Sequence, residues 1–394
     1  MTTNIPLLSL KAQHERLAPE LRQAVTKVVD SGVFILGPEV KQFETEFAAA
    51  LRACGIGGSA GAGRTDFLTA GAPHALGVSN GTDALRIALE AVGVGPGDEV
   101  LVPSFTFIAT ATAVSALGAS PVFVDIDPVT MTMNPAAAAA AVGPKTKAMI
   151  PVHLFGYPAD MDALLALAEE KGLRVVEDCA QAHLTTYKGR TVGTIGDLGA
   201  FSLYPSKNMG AAGDAGAVTV TDPELAEAVR QLRNCGRETG GPAYRHVRVG
   251  QNCRLDELQA AVLRVKLRYL PEWTAKRRAV ALRYIQNLQG LPIFLPDPGR
   301  SGTSHTFHLF VVRCDRRDEL AGHLTERGIG NAVYYPIPIH RQPAYMELSI
   351  RPTALPHTEE ACRTALALPM FPELELSAVD TVCQAVKDFF KKNP

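Results

Sequence analysis

The chain has 394 residues, 46% of them hydrophobic and 20% charged, with a formal net charge of −1. That length exceeds one ordinary compact core and fits a large and a small domain. The near-zero charge offers no basic field for nucleic acid. Seven cysteines, an odd number with no C-x-x-C pair, argue against a zinc site or disulfide framework and for a reducing cytoplasm.

The opening residues, MTTNIPLLSLKAQHERL, lack a charged stretch followed by an apolar one, so no signal peptide is expected. The longest apolar runs are too short to cross a membrane. Helical periodicity predicts helices over 17–30 and 39–51. The glycine-rich stretch 55–73 reads as a loop. From there strands and helices alternate: strand 75–78, helix 82–92, strand 99–103, helix 109–117, strand 121–125, strand 148–152, helix 161–171 and strand 174–177. Such alternation predicts a mainly parallel sheet covered on both faces. Helices over 255–269 and 272–288, a strand over 308–313 and a helix over 317–327 lead into a smaller C-terminal domain. The boundary falls near 265–275, giving domains 1–268 and 269–394.

Ligands on such sheets bind at the carboxyl ends of the strands. Three segments lie there: 80–83, 103–107 and 178–181. Asn80-Gly81-Thr82-Asp83 ends a strand and opens a helix, which suits a phosphate, although Thr82 or Asp83 could simply cap that helix. Glu177 and Asp178 end another strand, and either carboxylate could pair with a pyridinium nitrogen; alternation does not choose between them. Phe201-Ser202-Leu203-Tyr204-Pro205-Ser206-Lys207-Asn208 runs into a glycine-rich stretch, 210–216. A lysine in such a pocket can have its amine pKa lowered and form a Schiff base, while Ser202 and Ser206 offer hydroxyls to a phosphate.

The stretches SNGTDALRIALEAVGVGPGDEVLVPSFTFIATA, VVEDCAQAH, GAFSLYPSKNMGAAGDAGAV, NCRLDELQAAVLRVKL, HLFVV and YYPIPIHRQPAY together resemble the DegT/DnrJ/EryC1/StrS family of sugar aminotransferases. The resemblance implies an α/β fold-type I architecture binding pyridoxal 5'-phosphate (PLP). It implies Lys207 as the Schiff-base lysine, Asp178 as the partner of the pyridine nitrogen, and Gln181 near the cofactor 3-hydroxyl. Gly81, Thr82 and Ser202 would hold the phosphate, and Phe107 would stack on the ring. Asn252 would reach the cofactor phosphate of a neighbouring subunit, making an obligate homodimer with shared active sites. The implied reaction passes an amino group from glutamate to a nucleotide-linked ketosugar, 3-keto preferred to 4-keto, in aminosugar biosynthesis for a polysaccharide or antibiotic.

Three features depart from the family. Tyr334 replaces the first histidine of the segment that continues through Tyr335 to His340, leaving Tyr335 and His340 as candidate substrate contacts. The glycine-rich stretch 55–73 is an insertion, and Cys253 stands where Ser or Tyr is usual. Arg254, with Arg237, Arg245, His246 and Arg248, could offer cations to a diphosphate. The resemblance leaves room for an aminotransferase of a cyclitol or another non-nucleotide ketone, and for a non-catalytic regulatory homologue. Lys207 argues against the related dehydratases, which carry histidine at that position.

Overall fold

The computed structural model describes residues 4–55, 73–299, 302–346, 348 and 354–392; the expected loop at 55–73 lies almost wholly outside them. Helices α1 (Lys11–Ser31) and α2 (Pro38–Gly55) precede strand β1 (His74–Val78) and helix α3 (Gly81–Ala91). Then follow β2 (Glu99–Pro103), α4 (Ala109–Ser115), β3 (Ser120–Val124), α5 (Pro135–Ala141), β4 (Thr146–Met149), α6 (Met161–Lys171) and β5 (Arg174–Asp178). A small hairpin of β6 (Thr186–Tyr187) and β7 (Arg190–Thr191) leads to β8 (Leu198–Ser202), β9 (Gly216–Val220) and α7 (Pro223–Leu232). Helices α8 (Glu257–Leu267) and α9 (Leu270–Leu288), strand β10 (Phe310–Arg313) and helices α10 (Arg317–Thr325), α11 (Pro343–Met346) and α12 (Pro356–Thr364) come next. Strand β11 (Ala365–Leu368) and helix α13 (Leu376–Lys392) complete the order.

The main sheet runs β1-β9-β8-β5-β4-β2-β3. The links β2–β3, β2–β4 and β4–β5 are parallel, as the alternation predicts, because helices carry the chain back between strands; β5–β8 is also parallel, although only the β6–β7 hairpin segment joins them. Strand β9 is the exception, antiparallel to both β8 and β1. It follows β8 through a loop that turns the chain back on itself, so β9 runs in the opposite sense. That loop carries Lys207. The central strands are buried almost throughout, as a sheet covered on both faces requires.

Two apolar clusters line the two faces of this sheet. A third gathers Tyr284, Phe310, Leu320, Leu366 and Val382 around the β10–β11 pair and helices α9, α10 and α13. Ile5 belongs to this third cluster and pairs with Ile329, so this N-terminal residue packs with the C-terminal elements. Helix α1 begins six residues before the expected position and runs through Pro19.

Candidate active site

The chemistry gathers where β1, β2, β5 and β8 end. Helix α3 opens directly after β1, and its cap is Asn80, not Thr82 or Asp83: the Asn80 side chain accepts from the Asp83 N–H at 2.8 Å. Asp83 in turn accepts from Asn80 Nδ2 at 2.8 Å and from Arg86 at 2.7 Å, which fixes the cap. The N–H groups of Gly81 and Thr82 remain in the first turn, where no intrahelical acceptor exists. Ser202, at the end of β8, faces them closely. A Cβ on Gly81 would lie 2.6 Å from the Ser202 Cβ, so only glycine fits here. Two first-turn N–H groups, a helix dipole and a hydroxyl make an anion cradle.

The carboxylates of β5 separate cleanly. Glu177 is fully buried and saturated: it accepts from the N–H groups of Gly193 (2.9 Å), Ile195 (2.7 Å) and Gly196 (2.7 Å) and lies 3.0 Å from His153 Nε2. These bonds hold its carboxyl below the usual range despite burial. His153 Nδ1 accepts from the Ala159 N–H at 3.0 Å, which leaves Nε2 as the donor to Glu177. Among the described residues, Asp178 has two donors, the Thr110 hydroxyl at 2.9 Å and the Ala180 N–H at 3.1 Å. Burial pushes its carboxyl up, opposed by those donors and by Lys207. Of the two acids, Asp178 is the one with capacity for a cationic partner.

Lys207 is half-buried, and desolvation lowers its amine to about 8 despite the opposing charge of Asp178. Its backbone N–H donates to Tyr204 O at 2.8 Å. Asn208 anchors the loop from the other side, donating to Thr306 O at 3.2 Å and meeting His308 Nδ1 at 3.0 Å. His183 lies buried among these residues, its imidazole pushed down to about 3 by desolvation and by Lys207.

Gln181 is held at both ends: its Oε1 accepts from the Phe155 N–H at 2.7 Å and its Nε2 donates to the Tyr335 hydroxyl at 3.0 Å. Phe107 is 56% exposed, an uncovered aromatic face at the end of β2, with its centroid 6.4 Å from that of Tyr335. Gly81, Thr82, Ser202, Phe107, Asp178, Gln181, Tyr335 and Lys207 thus share one region. His340 stands behind it, its Nδ1 2.8 Å from Ser104 Oγ and its Nε2 3.3 Å from Glu359. Arg254 lies against the end of β1, paired with Val78, and donates to Asn234 at 3.2 Å. Asn252 is exposed. Arg245 pairs with Glu238 and Arg248 with Gln231. Cys253 is buried and accepts from Arg86 at 3.2 Å, and the Ser79 N–H donates to its carbonyl at 3.2 Å. No motif in the sequence points to Thr110 or to the anchors of the Lys207 loop.

The model of the DegT/DnrJ/EryC1/StrS aminotransferase family matches residues 66–387. The chain belongs to that family. It is 46% identical over 392 residues to dTDP-3-amino-3,4,6-trideoxy-alpha-D-glucose transaminase of Streptomyces venezuelae, covering 99% of this chain and 97% of the relative. It is 42% identical over 385 residues to UDP-N-acetyl-3-dehydro-alpha-D-glucosamine 3-aminotransferase of Acidithiobacillus ferrooxidans, covering 98% of each. Among solved structures, DesV of S. venezuelae in complex with a ketimine intermediate superposes with a TM-score of 0.89 at 46% identity, over 98% of this chain and 99% of that one.

The enzymes of this family are PLP-dependent, and this chain is a PLP-dependent aminotransferase. The donors present fit that cofactor: a cradle that a single Cβ would fill, an open aromatic face, a buried carboxylate with spare capacity and a lysine of lowered pKa. Among the described residues, the buried group His153, Glu177 and Cys179 has the spacing of a metal site, but Glu177 is already saturated by hydrogen bonds. No helix among the described residues is long and apolar enough to cross a membrane.

Proposed function

We propose that this enzyme transfers an amino group from glutamate to a nucleotide-linked ketosugar, with a 3-keto acceptor preferred to a 4-keto one. The observation that carries the reading is the pair of relatives above: at 46% and 42% identity over nearly the whole chain, both are named for an amino group at carbon 3 of a nucleotide-linked sugar. The test is incubation of the purified enzyme with glutamate and separate 3-keto and 4-keto nucleotide sugars, followed by mass and NMR. Amination of the 3-keto compound is expected. Turnover of the 4-keto compound alone contradicts the position, and turnover of a free cyclitol ketone alone contradicts the substrate class.

When bound, PLP supplies an aldehyde that condenses with amines and a ring that accepts the electron pair of a broken C–H bond. Lys207 would hold the cofactor through its amine and, when free, would serve as the acid and base that moves the proton. Its lowered pKa enlarges the fraction of neutral amine that both tasks need. Asp178, its carboxylate oriented by Thr110, would keep the pyridine nitrogen protonated. Gln181 would meet the 3-hydroxyl, Phe107 would cover one ring face, and Gly81, Thr82 and Ser202 would bind the phosphate.

The reading includes a homodimer in which Asn252 reaches the partner's cofactor phosphate. Its exposure supports this, as do Tyr244 and Val249, large apolar side chains 90% and 91% exposed on the same segment. Tyr335, His340 and Arg254 are the candidate sugar-nucleotide contacts. Seven free cysteines favour the cytoplasm. The division into 1–268 and 269–394 draws on the third apolar cluster; Ile5 crosses it, and Leu270, Trp273, Val311, Ile339 and Ala367 cross it the other way by packing in the clusters on the main sheet.

A further inference from the structure

We propose that helix α8 clamps the loop between β8 and β9, with Lys266 as its principal positioning residue, a role that rests on Lys207 being the cofactor lysine. Lys266 is fully buried on α8, where a lysine is costly to keep. Its Nζ donates to the carbonyl of Gly210 at 2.7 Å and lies 3.1 Å from His14 Nε2 on α1. Gln259 accepts from the Ala212 N–H at 2.8 Å. Gln259 and Lys266 are seven residues apart, two helical turns, and so share one face of α8. That face therefore grips the loop at two points just beyond Lys207.

The grip is transmitted by a tightly folded loop. A Cβ on Gly210 would lie 2.2 Å from the Pro205 carbonyl oxygen, so the two arms of the loop touch across Lys207. The Ala211 N–H donates to Leu203 O and the Leu203 N–H to Ala215 O, each at 2.8 Å. With the arms locked together, fixing the carbonyl of Gly210 fixes the backbone three residues earlier. A catalytic amine that must reach two different carbons needs such a rigid base. A buried lysine kept only for stability would be a poor choice, because an apolar side chain of the same length avoids its desolvation.

The test uses the full-length holoenzyme and Lys266→Met. Hydrogen exchange at the amides of Lys207, Ala211 and Ala212 should accelerate by about tenfold or more. The cofactor dissociation constant should rise by a similar factor, with the melting temperature not lowered and the KM for glutamate unaltered. Lys266→Gln, which keeps a shorter donor, should restore part of both effects. Unchanged exchange at those amides overturns the proposal, as does acceleration spread evenly over the chain with a fallen melting temperature. If Lys266→Met does not fold, Gln259→Leu decides: exchange at Ala212 must rise, and its constancy overturns the clamp. Accelerated exchange with parental cofactor affinity overturns the link to Lys207. A reduced cofactor adduct mapped to another lysine, by contrast, defeats the assignment of Lys207 itself and leaves the exchange result standing.

Discussion

Replacing Gly81 by alanine sets two physical effects against each other. Gly81 opens α3, and in an ordinary exposed helix Gly→Ala would stabilise by up to ~1 kcal/mol. Here the new Cβ would lie 2.6 Å from the Ser202 Cβ and 3.0 Å from the Ser202 Cα. Ser202 ends a fully paired strand, so its backbone cannot swing aside. Overpacking of this kind costs about 1–3 kcal/mol, which leaves the variant between neutral and ~2 kcal/mol less stable. The effect on the cradle should be larger. Pushing α3 and β8 apart removes at least one charge-assisted hydrogen bond to the phosphate, worth roughly 1.5–3 kcal/mol, or about tenfold to a hundredfold in cofactor affinity. Equilibrium dialysis of the apoenzyme against PLP measures the affinity, and thermal melting measures the stability. A variant that melts higher than the parent and binds PLP as tightly would refute the assignment of this glycine to the cradle.

Thr110→Val keeps volume and shape but removes one of the two donors to Asp178; kcat should fall by about tenfold with little change in KM for the ketosugar, read from steady-state kinetics. Lys266 also predicts a pH dependence. Burial lowers its folded amine to about 8 from 10.5, with Glu373 opposing and His14 in contact. Between those two pH values the unfolded state binds one more proton than the folded state, so this residue's contribution to stability rises with pH. The stability of the parent relative to Lys266→Met should therefore improve by up to ~3 kcal/mol from pH 8 to pH 10.5, measured by urea unfolding of the apoenzymes. Mixing inactive Lys207→Ala with an impaired Asn252→Ala variant should raise activity above that of either parent, because a hybrid dimer has one site with both residues intact. Hybrids that form without regaining activity would place Asn252 outside the partner's site.

The parallel half of the sheet was legible because its strands are short apolar runs bounded by turn residues and separated by periodic helices. Strand β2 coincides with the expected 99–103 for that reason, set off by Gly95-Pro96-Gly97-Asp98. Strand β9, Gly-Ala-Val-Thr-Val, was not legible: it is buried on both faces, so no alternation marks it, and nothing in it encodes direction. Helix α5 is almost pure alanine, which erases the amphipathic pattern. Its Asn134-Pro135 start, a cap followed by proline in the first turn, was the available signal. In the site, the residues of continuous motifs could be named from the sequence. The contacts across the fold could not: Thr110 and Asp178 lie 68 residues apart, and Lys266 and Gly210 lie 56 apart. Alternation also left Glu177 and Asp178 undecided, since both are buried. Only the three N–H groups from 193–196 show which acid is already satisfied.

The central claim is that Lys207 carries the cofactor, and reduction with peptide mapping tests it most directly. The purified holoenzyme is treated with borohydride, digested and analysed by mass spectrometry. The account predicts loss of the visible absorption band and a single pyridoxyl-lysine within the Ser-Leu-Tyr-Pro-Ser-Lys-Asn segment, at Lys207. An adduct on Lys188, Lys266 or any other lysine, with Lys207 unmodified, would contradict it.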